Sequence, residues 1–301
     1  MIPADREQYG PANGDAFPAW GGDLARYLFP KVIAQAKEKN PQVIAREAWG
    51  WLPPPLMDEG KKVQTDWLHG FLLDPYALRP AAVMRMPNFH MSSEDAAKLV
   101  DFFAASSDAS FPYEYKPQQR ASYLAKMSQE REDPLAEAMN IVTNGNYCVK
   151  CHAVAEFSPQ GDPNTFGPNL ADAYRRLRPE FTRDWIANPA RILPYTGMPV
   201  NIPYRPDDPH MGGVAQHLFE GTSVQQLTGV VDLLMNFDAY ARGNTSVTPL
   251  VEQAQAAAAA QQGEGAAAPG SAGVGDDPAR SDPPNPLRNA SDAEGSDEST
   301  Q

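Results

Sequence analysis

The sequence predicts a mainly α protein: a small helical module that occurs twice, long irregular loops, and a disordered C-terminal tail. Three observations carry that expectation. Apolar residues recur at helical spacing in short runs that open on Ser, Thr or Asp caps. A series of short motifs runs once before residue 110 and again after residue 133, and internal similarity has to be settled before a fold is named. From residue 245 the chain turns to Ala, Gln, Gly, Pro, Ser and acidic residues, which cannot bury enough apolar surface to offset ordering entropy.

Residues 1–22 read as irregular, being rich in Gly, Pro and Ala. Residues 23–40 have Leu24, Leu28 and Val32 on one helical face; Pro30 must start a new helix there or kink this one. Trp49 and Trp51 lead into Pro53-Pro54-Pro55-Leu56, a stiff extended loop. A helix bearing Trp67 follows, then Asp74-Pro75, Arg79-Pro80 and Met84-Arg85-Met86-Pro87. Residues 92–105 form an amphipathic helix: Ser92 caps it, Asp95 lies three residues on, and Ala96, Leu99, Val100 and Phe103 make its apolar face.

Residues 111–132 are a linker, in which Phe111-Pro112-Tyr113-Glu114-Tyr115 is an aromatic strap suited to a hydrophobic surface. Asp133-Pro134 opens a helix with Asp at the cap and Pro in the first turn, and Leu135, Ala138, Met139 and Val142 follow at helical spacing. Thr222 or Ser223 caps a last helix with Val224, Leu227, Val231, Leu234 and Phe237 on its apolar face. It should cross the helix that begins at Pro134. In the tail only residues 256–260, all Ala, have the composition of a short helix.

The repeat pairs Pro54–Leu56 with Pro168–Leu170, Trp67-Leu68 with Trp185-Ile186, Asp74-Pro75 with Asn188-Pro189, and Met86-Pro87 with Met198-Pro199. This alignment needs four extra residues in the first copy. The expected organisation is a first module over residues 1–110, the linker, a second module over 133–244, and the tail over 245–301.

Between the helix at Pro134 and the second Pro-x-Leu lies Cys148-Val149-Lys150-Cys151-His152, a C-x-x-C-H sequence of the kind that attaches c-type haem. Two thiols at this spacing can add across the two vinyl groups of one haem, and the adjacent His is then held under the iron. Rival readings fare worse. A thioredoxin-like pair wants a βαβ setting, and no alternating β-branched run surrounds Cys148. A structural zinc ion needs four ligands; the motif supplies three, and the chain has only 2 Cys. A disulfide across two residues is strained and leaves the His unexplained.

Downstream come Gly167-Pro168-Asn169-Leu170, then Arg178-Pro179-Glu180-Phe181, Trp185-Ile186-Ala187-Asn188-Pro189, and Thr196-Gly197-Met198-Pro199. With C-x-x-C-H, this set resembles the class I c-type cytochrome family over about a hundred residues. The resemblance implies a cytochrome c-like helical haem domain, one covalent haem c on Cys148 and Cys151, His152 as one axial ligand and Met198 as the other. Pro168, Leu170 and Trp185 would line the cofactor, Trp185 either beside it or as plain core. Met198 sits in a Gly-Met-Pro loop rather than on an apolar stripe, whereas most Met residues are core filler; His210, Met211 and His217 compete for its role. The first module has no Cys, so it is a truncated or degenerate copy without a haem of its own. Met84, Met86 and Met91 then read as filler, and His69 and His90 as surface or capping residues.

The net charge is −13; residues 246–301 hold nine acidic and two basic side chains, leaving −6 on the remainder. That balance argues against a nucleic-acid partner, which wants a basic patch. No run of eighteen apolar residues marks a transmembrane helix. Met1 is not followed by a basic-then-apolar signal sequence, although c-type haem is normally attached outside the cytoplasmic membrane. A periplasmic or otherwise exported protein cut from a longer precursor reconciles the two. The function expected is electron transfer between redox partner proteins, as a subunit or relay in a respiratory system with possible association with a membrane redox complex. The alternatives are a cytochrome domain of a haem enzyme, of peroxidase or dehydrogenase type, and a structural or sensing module.

Overall fold

The computed structural model describes residues 22–43, 54, 56–80, 85–193, 196–208, 212–243 and 246–265. Trp49, Trp51, Pro53, Pro55, Met84, His210, Met211, residues 1–21 and the tail from 266 lie outside the described residues. The protein is mainly helical, and among the described residues the only β pairing is three isolated bridges. The helices are α1 (Gly22–Lys39), α2 (Glu59–Lys62), α3 (Thr65–Leu73), α4 (Ser93–Ser106), α5 (Ala121–Glu130) and α6 (Pro134–Thr143). They continue with α7 (Ala173–Arg176), α8 (Pro179–Ala187), α9 (Pro189–Ile192), α10 (Ser223–Met235), α11 (Phe237–Gly243) and α12 (Thr248–Gly265). No described helix is long and apolar enough to cross a membrane.

The core is built round α10. Thr222 starts it with a capping box: its hydroxyl accepts from Gln225 N–H, and the Gln225 side chain accepts from Thr222 N–H. The helix was expected to have one apolar face, yet Gln226, Leu227 and every residue from Gly229 to Met235 are buried. Helices α6, α7, α8 and α11 surround it, α6 most extensively. In α6 the Asp133 carboxylate accepts from Ala136 N–H, and Ala138, Met139, Ile141 and Val142 are buried. In α4 the cap at Ser92 is as expected, but Leu99 is exposed and Ala96, Val100 and Ala104 form the buried line. Helix α1 runs through Pro30 without a break in assignment, losing the one hydrogen bond that Pro cannot donate.

Two stretches are built alike. Asp58, Glu59, Lys62, Val63, Gln64 and Asp74 stand where Asp172, Ala173, Arg176, Leu177, Arg178 and Asn188 stand. Dihedral angles agree from Val63 on: φ −75°, ψ 143° at Gln64 against −80°, 144° at Arg178, and −111°, 155° at Val63 against −99°, 150° at Leu177; they differ at Asp58 (52°, 22°) and Asp172 (−90°, −5°). The two stretches meet at equivalent residues. Val63 and Leu177 form an antiparallel bridge; Gln64 N–H donates to the Arg176 carbonyl (2.8 Å), and Arg178 N–H donates to the Lys62 carbonyl (3.0 Å). The bonds exchange under a local two-fold axis. This register corrects the sequence alignment. Phe181 is the counterpart of Trp67 and Trp185 that of Phe71, so no extra residues are needed between these helices and the pair Asp74 and Asn188. Each helix carries a stacked aromatic pair one turn apart, Trp67–Phe71 at 4.8 Å and Phe181–Trp185 at 6.0 Å, with Trp and Phe exchanged.

The linker is a clamp rather than a spacer. Phe111 and Pro112 line an open cavity with Val100, Ala97, Thr65, Asp66 and His69 but stay exposed themselves, as do Tyr113 and Tyr115, so the strap is not laid down on an apolar surface as expected. Glu114 is the anchor: it pairs with Arg178 (2.8 Å) and accepts from Thr65 N–H (2.7 Å). Gln119 donates to the Met235 carbonyl, and Asn236 donates to the Gln118 carbonyl. The tail boundary also moves. α12 begins inside the segment expected to be disordered, with Val247 and Val251 buried and the helix packed on α6. Glu156 caps it, accepting from the Ser246 hydroxyl, Val247 N–H (2.6 Å) and Thr248 N–H (3.0 Å), and the Ser246 bond first, then the backbone bonds, hold its carboxyl down at about 2. Composition signalled the poly-Ala helix, but the two valines and a carboxylate some ninety residues earlier that dock it carry no local signature.

Asp232 on α10 is 3% exposed, and the Tyr123 hydroxyl on α5 donates to its carboxylate, 2.9 Å from each oxygen. Burial pushes the carboxyl up to about 6 from 3.8, although the Tyr123 bond works the other way. Stability from this group is therefore present below pH 4 and lost as pH rises through about 6. Asp232→Asn should make the protein more stable than wild type at pH 7.5, on the order of 2 kcal/mol, with the gap closing toward pH 4. Denaturant melts at both pH values check this; a variant weaker than wild type at pH 7.5 would show that the charged Tyr123 bond outweighs burial.

Candidate functional site

The C-x-x-C-H segment leaves α6 through a tight turn. The Asn144 side chain accepts from Asn146 N–H, and its carbonyl accepts from Tyr147 N–H. Cys148–Lys150 then forms one turn of 3₁₀ helix, closed by Cys151 N–H and His152 N–H on the Cys148 carbonyl (3.1 and 2.9 Å). Val149 is buried and pins the turn to the core. Cys148 and Cys151 are one turn apart, both free and both partly exposed. Burial pushes the Cys148 thiol up to about 12, with the neighbouring Cys151 adding to the shift. A thiol–disulfide exchange pair needs a lowered pKa, so this environment counts against that reading.

The Gly167-Pro168-Asn169-Leu170 loop returns alongside. Gly167 N–H donates to the Cys151 carbonyl (2.7 Å), His152 and Gly167 form a parallel bridge, and Leu170 N–H donates to the Ala153 carbonyl (2.9 Å). The Asn169 side chain grips Ala155 through both its N–H and its carbonyl. His152 Nδ1 lies 2.8 Å from the Pro168 carbonyl. A carbonyl only accepts, so Nδ1 carries the proton and Nε2 keeps its lone pair. Burial lowers the His152 pKa, Arg176 lowers it further, and the Pro168 bond opposes them. A neutral imidazole fixed at Nδ1 by a backbone carbonyl is the arrangement of a metal-ligating His. Gly167 is required here: a Cβ would stand 2.3 Å from His152 Cε1.

Cys148, Cys151, His152, Pro168 and Leu170 are thus brought together in one unit. Trp185 stands on α8, half-buried and stacked on Phe181. Met198 is half-buried in the loop after α9, its N–H on the Thr196 hydroxyl (3.2 Å). Among the described residues no hydrogen bond or ring contact joins Met198 or Trp185 to His152. Of the rival ligands, His217 is exposed on a turn. Before residue 110, His69 bonds Ser93 at the start of α4, and His90 is exposed, while Met86 and Met91 pack against the core.

One residue was missed by sequence reasoning. Arg176 ends α7 beside the module junction, and its Nε is buried with no hydrogen-bond partner. Burial and the charge of Arg79 lower its pKa, and its own charge is felt at His152. In the sequence, Arg175-Arg176 looks like an ordinary basic last turn. Among the described residues no three His, Cys, Asp or Glu converge as a metal cluster, so a four-ligand zinc site has no scaffold. The residues present do fit a haem: two free thiols on one turn and one oriented neutral imidazole directly after them. Compared with known proteins, the chain matches no family model, no curated protein and no solved structure.

Gly167→Ala should force the imidazole off its Pro168 bond and cost about 1–3 kcal/mol, the usual penalty of overpacking. Thermal melts and the His152 ring resonances check this. A melting temperature and a ring environment equal to wild type would mean that the loop can step back from the ring.

Proposed function

We propose that the protein transfers electrons through one haem c bound at Cys148 and Cys151, with His152 and Met198 as axial ligands. The observation that carries this reading is the His152 imidazole, protonated at Nδ1 by its bond to Pro168 O, directly after two free thiols on a single turn. Resemblance to class I c-type cytochromes in the residues from Cys148 to Pro199 supports it. A haem whose two axial positions are filled cycles between Fe(III) and Fe(II) without binding substrate. The chain's own part is to keep the two thiols free on one turn, present Nε2 and exclude water with the buried helices round α10. The first module reads as a cytochrome c-like copy without a haem, kept as a packing partner through the Val63–Leu177 junction. Redox proteins outside the cytoplasmic membrane, in a respiratory system or attached to a membrane redox complex, are the partners that fit.

Cys148→Ala with Cys151→Ala should remove covalent haem from the matured protein, read by intact mass. One haem on wild type and none on the double variant is the expected result; two haems, or none on wild type, would refute it.

Met198→His should leave the haem attached and lower the midpoint potential, because imidazole favours Fe(III) more than a thioether does. Each tenfold change in the equilibrium constant moves a one-electron couple by about 59 mV. Met86→His, in the haem-less module, is the control and should leave the potential in place. A potential unmoved by Met198→His would assign the sixth position elsewhere.

A further inference from the structure

The C-x-x-C-H segment is flanked at both ends by one helix, α12, that the site itself does not use. Glu156 lies four residues after His152, and Gly145 three before Cys148. At the far end the Glu156 carboxylate takes the start of α12, accepting from the Ser246 hydroxyl, Val247 N–H (2.6 Å) and Thr248 N–H (3.0 Å). At the near end, two turns along α12, Gln255 lies against the turn that opens the segment: a Cβ at Gly145 would stand 3.9 Å from Gln255 Cγ. Between these points Val247 and Val251 are buried and Ala254 and Ala258 half-buried, all on one helical face. The helix that α12 packs against is α6, which leads into Cys148.

Glu156 is tied stiffly to His152. It sits in a tight turn closed by Val154 and Phe157, each donating its N–H to the other's carbonyl (3.0 Å). Ala155 holds a left-handed φ of 51° there, with the Asn169 side chain on both its N–H (3.0 Å) and its carbonyl (2.9 Å). The Ala153 carbonyl, beside His152, accepts from Leu170 N–H (2.9 Å). Movement at Glu156 is therefore carried into the loop that orients the imidazole. The hold on α12 is small by comparison with the core: two buried valines, a half-buried Leu250 and one carboxylate, against an α10 that is buried throughout from Gly229 to Met235. Elements with few buried apolar contacts are the ones that open locally.

We infer that α12 is a latch on the C-x-x-C-H segment: docked, it fixes the thiols in a slow-reacting turn, and undocked, it lets residues 144–157 open with it as one unit while α10 stays folded. The inference deepens the functional reading, since it says what controls the two thiols that the reading assigns to haem, and its test needs no cofactor. The thiolate is the nucleophile, and burial keeps the Cys148 thiol protonated, so alkylation of Cys148 reports the opening.

The test uses the full-length chain with its thiols free. Labelling of Cys148 by N-ethylmaleimide, read by peptide mass, should run about fivefold to tenfold faster in Glu156→Ala than in wild type, the scale of a lost helix cap. Val251→Ala, which thins the contact of α12 with α6, should speed it too. Val100→Ala removes the same methyl groups from buried α4 and should leave the rate at its wild-type value. Hydrogen exchange should show α12 and residues 144–157 losing protection together in Glu156→Ala, with α10 unchanged. If the variants do not fold, exchange in wild type decides: α12 and 144–157 must share one opening rate, faster than that of α10. Wild-type labelling in Glu156→Ala and Val251→Ala, equal acceleration by Val100→Ala, or an α12 that opens while 144–157 stays protected would overturn the inference. Haem uptake is read separately by intact mass: a wild-type chain that matures without haem overturns the functional reading and leaves the latch standing.

Discussion

Helix α10 has almost no solvent face, and the architecture follows from keeping it dry. A helix buried on all sides needs neighbours on all sides, and α6, α7, α8 and α11 provide them. Burial also presses its polar side chains to find partners within the protein, and they do except at Ser223, whose hydroxyl is buried without one. Gln226 takes both hydrogen-bonding ends to the loop before the helix, accepting from Val214 N–H and donating to the Val214 and Phe219 carbonyls. Asp232 is met by Tyr123, and Asn236 reaches Gln118. The loop before α10 and the linker after the first module are thereby fastened to one element.

The candidate site hangs from that element through α6 and α7. α6 packs on α10 and delivers the C-x-x-C-H turn at its C-terminal end, where Val149 enters the core. α7 packs on α10 too, and ends at Arg176 and Leu177, where the first module docks. Docking and site are therefore not independent. The backbone that pairs with Gln64 and Lys62 is that of Arg176 and Arg178, and Glu114 from the linker neutralises Arg178, in a pair only about a tenth exposed on each side. An ion pair buried that far is costly to break by removing one partner, so the linker holds the junction and the junction holds Arg176.

Parts of this were legible in the chain. The caps at Ser92, Asp133 and Thr222 are read correctly because a cap is a local bond between a side chain and a backbone N–H two or three residues away. C-x-x-C-H is legible for the same reason: its chemistry depends on spacing within one turn. The likeness of residues 58–74 to 172–188 was visible but slipped by one turn, since Trp and Phe sit four residues apart in both helices with their order exchanged. Matching Trp to Trp satisfies the eye, whereas the backbone matches cap to cap.

The sequence by itself determined what depends on near neighbours: helical class, caps, the thiol pair and the His beside it. It also marked Gly167-Pro168-Asn169-Leu170 as a loop worth attention, though not that Pro168 would orient the imidazole or that Gly167 is there to leave room for the ring. Tertiary structure alone decided what depends on distant chain: the docking of α12 on α6 under Glu156, the bracing of the junction by Glu114, and the isolation of Arg176. The physical reason is desolvation. Whether a charge is satisfied or stranded depends on which distant groups exclude water from it and which of them already have partners, and neither is written in the residues beside it.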